Sequence, residues 1–285
     1  MKNQDKELKK LIDKAIKEDK CFTKSRLKGE FRLKPKPDTE PVYTYKDYYR
    51  NEIGMYSIKD CIPLKKYTKK PQTEAQKKAT KKLALIAKTR SNLYQTSKEV
   101  DHILTKDCVF LDTETTGLGD KDQIISIAIC NKNGETLINE VVKPTVKINE
   151  KASEVHGFYE KDLINKPLWS EIEEKIKSTL KGKIVIIFNE EFDYQMLVNN
   201  NNAFNLSIKW INLLNTVCAM DIAAKAYGAT NRYGSISLAD ATDRAGIEFQ
   251  GEAHTALGDT LTTLKLLNKI AKYHKEIDEE IKNLK

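Results

Sequence analysis

The run at 183–188 (KIVIIF) constrains the fold more than any other stretch of the chain. It is apolar after its first lysine and shows no alternation. Such a run reads as a strand buried on both faces, and its sheet then needs helices above and below it. Further strands are expected at 108–111 (CVFL), 122–130 (DQIISIAIC) and 136–142 (TLINEVV), with the 131–134 stretch (NKNG) as a hairpin signal between the last two. Helical patterns follow at about 149–157, 169–180 and 190–199. A strand at about 209–215, two shorter helices and a long helix from about 256 complete the order. A β-meander followed by alternating helices and strands predicts an α/β fold, a mixed sheet with helices on both faces.

Charge divides the chain. Residues 1–100 hold 27 Lys or Arg against 13 Asp or Glu, a net +14, whereas the whole chain carries +8, so residues 101–285 carry −6. A basic arm tethered to an acidic domain suits a polyanionic partner; the plainer reading is that the lysines keep the protein in solution. Residues 4–18 read as an amphipathic helix through Leu8, Leu11, Ile12, Ala15 and Ile16. A turn-rich stretch with Pro35, Pro37, Pro41 and Pro63 overlaps a segment holding Tyr43, Tyr45, Tyr48, Tyr49, Tyr56 and Tyr67 among lysines and arginines. The commoner reading of most of these tyrosines is the core of a small domain. The other is a surface that stacks bases and binds phosphates. After Pro71 a helical segment of about 30 residues begins with a capping-box pattern, Thr73 with Gln76. The expected division is a basic, mainly helical accessory region at 1–104 and a second domain at 105–285.

Other classes drop out. No run of about 18 apolar residues spans a membrane, and the charged start lacks the apolar core of a secretory signal. Cys21, Cys61, Cys108, Cys130 and Cys218 are odd in number and form no CxxC clamp. A reducing, cytoplasmic compartment is the expectation.

Three acidic motifs carry the chemistry. Asp112 and Glu114 share one face of a strand that ends at once in Thr115-Thr116-Gly117-Leu118, and two carboxylates on one face repel unless a cation lies between them. Read alone, the pair is equally an exposed acidic strand end. Asp193 follows Asn189, which suits a helix N-cap; an acidic residue there also merely complements the helix dipole. In 254–259 (HTALGD), His254 and Asp259 are five residues apart, a rotation of roughly 140° on a continuous helix. They serve one site only if His254 lies at or before the helix start, reached through a loop at Gly251. A histidine near neutral pKa suits a general base.

Together these motifs, FLDTETTGL, NEEFDYQML and AHTALGDTLTTLKLL, resemble the DEDDh group of DnaQ-like 3′–5′ exonucleases. The segments from Pro144 through Ala152, Val155-His156-Gly157, Asp162-Leu163 and SLADATDRAGIEF are similar too, so the resemblance spans about 107–270. Phe188 departs from it, since members often carry histidine there. The resemblance implies a ribonuclease H-like fold with a mixed five-stranded sheet. It implies two Mg²⁺ or Mn²⁺ ions held by Asp112, Glu114, Asp193 and Asp259, with His254 removing a proton from the attacking water. It further implies a terminal nucleotide met by Thr115, Thr116, Gly117 and Leu118, with Asn189 and Phe192 nearby, and release of nucleoside 5′-monophosphates from DNA. RNA trimming and a proofreading role beside a polymerase are the alternatives, and any replication or repair partner stays unspecified. His156 is expected to bond within a turn at the site's rim. His102 and His274 read as surface residues.

Overall fold

A computed structural model describes residues 2–65 and 71–284; Tyr67 lies outside them. The chain divides into two compact units, Met1–Gln72 and Thr73–Lys285. The boundary falls before the long helical segment, not after it at 104, because those helices pack on the C-terminal helix of the second unit.

The N-terminal unit runs α1 (Lys2–Lys17), β1 (Cys21–Thr23), α2 (Lys24–Arg26), β2 (Leu33–Pro35), β3 (Tyr43–Lys46), β4 (Glu52–Ser57) and β5 (Cys61–Pro63). Besides its helices it holds two small sheets: β1, β4 and β3 form an antiparallel sheet in that order, and β2 pairs with β5. The aromatic and β-branched residues of YTYK and EIGMYS find each other across a short turn, which is what such side chains favour. The core gathers Ala15, Phe22, Leu27, Phe31, Leu33, Tyr56 and Ile58. Among the described tyrosines of this stretch only Tyr56 is in it; Tyr43, Tyr45, Tyr48 and Tyr49 are exposed, against the expectation of a tyrosine core.

The second unit begins with α3 (Glu74–Lys88) and α4 (Asn92–Leu104). The expected single helix is broken because Ser91 caps the second one, its hydroxyl accepting from the Tyr94 amide at 3.2 Å. The sheet strands are β6 (Cys108–Thr115), β7 (Ile124–Asn131), β8 (Thr136–Val141), β9 (Ile184–Ile187) and β10 (Asn215–Cys218), in the order β10-β9-β6-β7-β8. β10, β9 and β6 run parallel to one another; β7 is antiparallel to β6, and β8, antiparallel to β7, returns to the direction of β6. The last strand starts where the sequence pattern had it ending; Ile211–Leu213 form a 3₁₀ turn, and the β-branched Thr216 and Val217 take the edge. The remaining helices are α5 (Glu150–His156), α6 (Glu160–Leu163), α7 (Trp169–Leu180), α8 (Glu190–Ala203), α9 (Ala219–Tyr227), α10 (Leu238–Ala245) and α11 (Ala256–Asn283).

Alternation along β6 decides what each face meets. Val109 and Leu111 join Trp169, Ile172, Met196 and Leu197 of α7 and α8. Cys108 and Phe110 join Ala219 of α9 and Leu266, Leu267 and Ile270 of α11. α8 runs four residues beyond its expected end, and Asn199, Asn200 and Asn201 are buried and hydrogen-bonded there. Asn200 accepts from the Ile124 amide at 2.8 Å, and Asn201 accepts from the Trp169 indole at 2.8 Å. Such bonds offset the cost of burying amides. His274, expected at the surface, is partly buried between α4 and α11 and bonded at 2.9 Å to Ser97.

Candidate active site

The carboxylates converge at the C-terminal ends of the parallel strands, the edge where open α/β sheets place their ligands. Asp112 and Glu114 stand on the β6 face that looks toward α11. Asp259 comes from the first turn of that helix, and oxygens of the three carboxyl groups lie within 4.8 Å of one another. Asp193 enters from α8, on the opposite face. It is 3% exposed and accepts a hydrogen bond from the Thr113 hydroxyl at 2.7 Å. It therefore sits beside Asp112 without joining the tight trio. Asn189 occupies the N-cap of α8 as expected, and its αL backbone turns the chain from β9 into the helix; its side chain makes no cap bond, and the Phe192 amide bonds to its carbonyl.

His254 lies before the N-cap Thr255, in a left-handed conformation with φ 60, and its amide donates to Asp259 Oδ1 at 3.3 Å. The loop and the helix start thus converge as the five-residue spacing requires. Gly258 makes this possible: a Cβ there would strike the Glu252 carbonyl and lie 2.7 Å from Thr255 Oγ1. A single glycine inside a helical pattern carries no local signal of this close approach in the sequence.

Crowded acids in a low-dielectric pocket resist ionisation. Burial first, then the charges of Asp193, Asp259 and Glu114, push Asp112 well above the usual carboxylate range. Burial, with Asp259 and Asp193, raises Glu114 to about 8. Burial raises Asp193 to about 7 against the lowering effect of Thr113. Asp259 is raised by burial, though the His254 amide opposes it. A divalent cation reverses this cost, and hard cations take carboxylate oxygens, so the donor set fits a metal.

Beside the trio lies a pocket of about 400 Å³ walled by Thr113, Glu114, Thr115, Gly117, Leu118, Asn149, Lys151, Ala152, Val155, His156 and Phe192. Leu118 is 85% exposed at its rim. Thr116 and Asn189 are not in this wall. Thr116 is buried beneath the turn, its hydroxyl donating to Asp122 Oδ1 at 2.7 Å, and Asn189 is spent on the strand-to-helix bend. Asp122 also accepts from the Gly119 amide at 2.7 Å, so it organises the turn that presents Gly117 and Leu118. His156 braces the same turn: its Nδ1 accepts from the Phe158 amide at 3.1 Å, which leaves the Nε2 proton to donate to the Thr115 carbonyl at 3.2 Å. Asp122 and Lys151 escaped the sequence reading, since each is one charged residue in a polar stretch.

A Cβ on Gly117 would sit 2.7 Å from Asp122 Oδ2. Gly117→Ala is therefore expected to cost about 1–3 kcal/mol of stability by overpacking and to raise KM more than it lowers kcat, as read by denaturant melts and steady-state kinetics.

The exonuclease family model RNase_T matches residues 109–267, which takes in every one of these carboxylates. The chain belongs to this exonuclease family. The uncharacterized exonuclease CP81 of Escherichia phage 186 is 31% identical over 175 residues, covering 59% of this chain and 90% of the phage protein. The uncharacterized protein pSLT049 of Salmonella typhimurium is 38% identical over 123 residues, 43% of this chain and 88% of its own length. Among solved structures, E. coli exonuclease I in complex with a dT13 oligonucleotide shares the fold with a TM-score of 0.50 at 18% identity, over 61% of this chain and 43% of that one. The ribonuclease H-like, DnaQ-type architecture is thus that of an exonuclease, a hydrolase acting on nucleic acid. No helix among the described residues is long and apolar enough to cross a membrane.

Proposed function

We propose that the chain is a metal-dependent 3′–5′ exonuclease acting on DNA and releasing nucleoside 5′-monophosphates. The observation that carries this reading is the convergence of Asp112, Glu114 and Asp259 within 4.8 Å, beside an apolar pocket of nucleotide size. Asp112, Glu114 and Asp259, with Asp193 directly or through water, would hold two Mg²⁺ or Mn²⁺ ions. Bound there, such ions supply charge stabilisation to the attacking and leaving oxygens.

The chain's own groups do the rest. Leu118 and Val155 pack against the terminal base, and Phe192 closes the inner wall. The amides of Gly117 and Leu118 have no hydrogen-bond partner among the described residues and face the 3′-OH. Lys151 offers a cation to a phosphate at the rim. His254 takes the proton from the attacking water. His254→Ala is expected to lower kcat by roughly 10²–10⁴, the usual worth of a general base, with KM little changed in single-turnover assays.

DNA is chosen as the polymer because the exonuclease I of this fold was solved with a DNA oligonucleotide. A time course on 5′-labelled single-stranded DNA, duplex DNA and RNA, run with Mg²⁺, Mn²⁺ and chelator, tests the proposal. A ladder shortening from the 3′ end of DNA, abolished by chelator, is expected. Shortening from the 5′ end, or equal rates in chelator, contradicts it; faster loss of RNA than of DNA reassigns the substrate.

A further inference from the structure

The β3–β4 hairpin of the N-terminal unit holds aromatic rings out in water. Tyr48 is 94% exposed and Tyr49 80%, edge to face at 5.3 Å. Mobile polar tips rarely present two large rings side by side, and this tip is built to do so. Asp47 Oδ1 accepts from the Tyr49 amide at 2.9 Å and from the Asn51 amide at 2.8 Å, while the Asn51 side chain donates to Asp47 Oδ2. Arg50 takes φ 64 to close the turn. Alternation places Tyr43 and Tyr45, also exposed, on one face of β3.

The unit that carries the hairpin is basic overall. Residues 1–72 contain 20 Lys or Arg against 11 Asp or Glu, a net +9 in a chain of +8, so the second unit is close to neutral at −1. Lys46 and Arg50 on the hairpin are exposed. The two acids of the hairpin are engaged locally, Asp47 by the turn amides and Glu52 by the Thr44 hydroxyl at 2.9 Å.

We propose that this hairpin is a binding surface for single-stranded nucleic acid. Tyr48 and Tyr49 serve as platforms for unpaired bases, and Lys46 and Arg50 contact the phosphates. The inference rests on the nucleic-acid substrate proposed above and names its form: rings stack on bases only where the faces are not covered by neighbouring bases of a duplex stack. Phosphate contacts then make the binding weaken with salt.

The test is fluorescence anisotropy of a labelled oligonucleotide of about 20 thymidines with the full chain in chelator, where nothing is cut. Stacking is worth about 1–3 kcal/mol per base, so Tyr48→Ala with Tyr49→Ala is expected to raise Kd at least about 10-fold. The same pair changed to Phe keeps its rings and is expected to stay within about 3-fold of wild type. Unchanged affinity in the Ala pair overturns the proposal. So does an equal loss in the Phe pair, or a wild-type chain that does not bind the strand in chelator. Hydrolysis of the p-nitrophenyl ester of thymidine 5′-monophosphate is the control, since that substrate needs no strand-binding surface. Both pairs are expected to keep wild-type rates on it, and its failure in the wild type counts against the nuclease reading alone.

Discussion

Asp112→Asn is expected to abolish measurable exonuclease activity and, at the same time, to raise the melting temperature of the metal-free protein. The two effects have one cause. Asp112 is the carboxylate with the most acidic neighbours, Asp193, Asp259 and Glu114. An amide keeps its volume and removes its charge. Metal binding that supplies several kcal/mol of transition-state stabilisation is then lost, which at 1.36 kcal/mol per decade is a rate loss of about 10³-fold or more. The remaining acids no longer repel a buried neighbour, so the metal-free fold gains stability, the usual relation between an active site and its scaffold. Single-turnover digestion and thermal melts in chelator read the two effects separately. Loss of activity together with a lower melting temperature would mean that Asp112 is structural.

The second large effect is on stability against pH. Unfolded, aspartate and glutamate titrate near 4; folded and without metal, Glu114 titrates at about 8 and Asp193 at about 7. Between those values the folded state holds protons that the unfolded state has released. Their contribution is complete below about pH 4 and is lost as the pH rises through about 7 to 8. Metal-free protein is therefore expected to melt several degrees lower at about pH 8.5 than at about pH 5.5, with the ordinary titration of other groups corrected for by a chain carrying Glu114→Gln and Asp193→Asn. Excess Mg²⁺ is expected to restore the loss at the higher pH and to do little at the lower one, because protons and metal compete for the same oxygens. A melting temperature that rises with pH in chelator contradicts the buried, mutually repelling carboxylates.

How far the sequence foretold this molecule depended on whether the signal was local. β6 was legible because four apolar residues run into DTETTG, and alternation alone put Asp112 and Glu114 on one face. The requirement that His254 precede the helix followed from helical geometry, and the structure places it before the cap. Asp193 was harder. Nothing local says that it enters from the opposite face of the sheet and is held by the Thr113 hydroxyl. Asn199, Asn200 and Asn201 lie at or beyond the end expected for that helix, yet they are buried because Trp169, Ile124 and Asp122 come to them from distant parts of the chain. The N-terminal unit was least legible. Its strands are three to six residues long, and its tyrosines carry both core and surface readings until the sheet's one covered face is known.

Anomalous diffraction from crystals grown with Mn²⁺ tests whether Asp112, Glu114, Asp193 and Asp259 hold divalent metal. Two peaks are predicted, each touching Asp112, one shared with Glu114 and Asp259 and the other toward Asp193, and both absent from Asp112→Asn crystals. Well-ordered wild-type crystals that show no Mn²⁺ at these carboxylates, or show it bound elsewhere, would contradict the account.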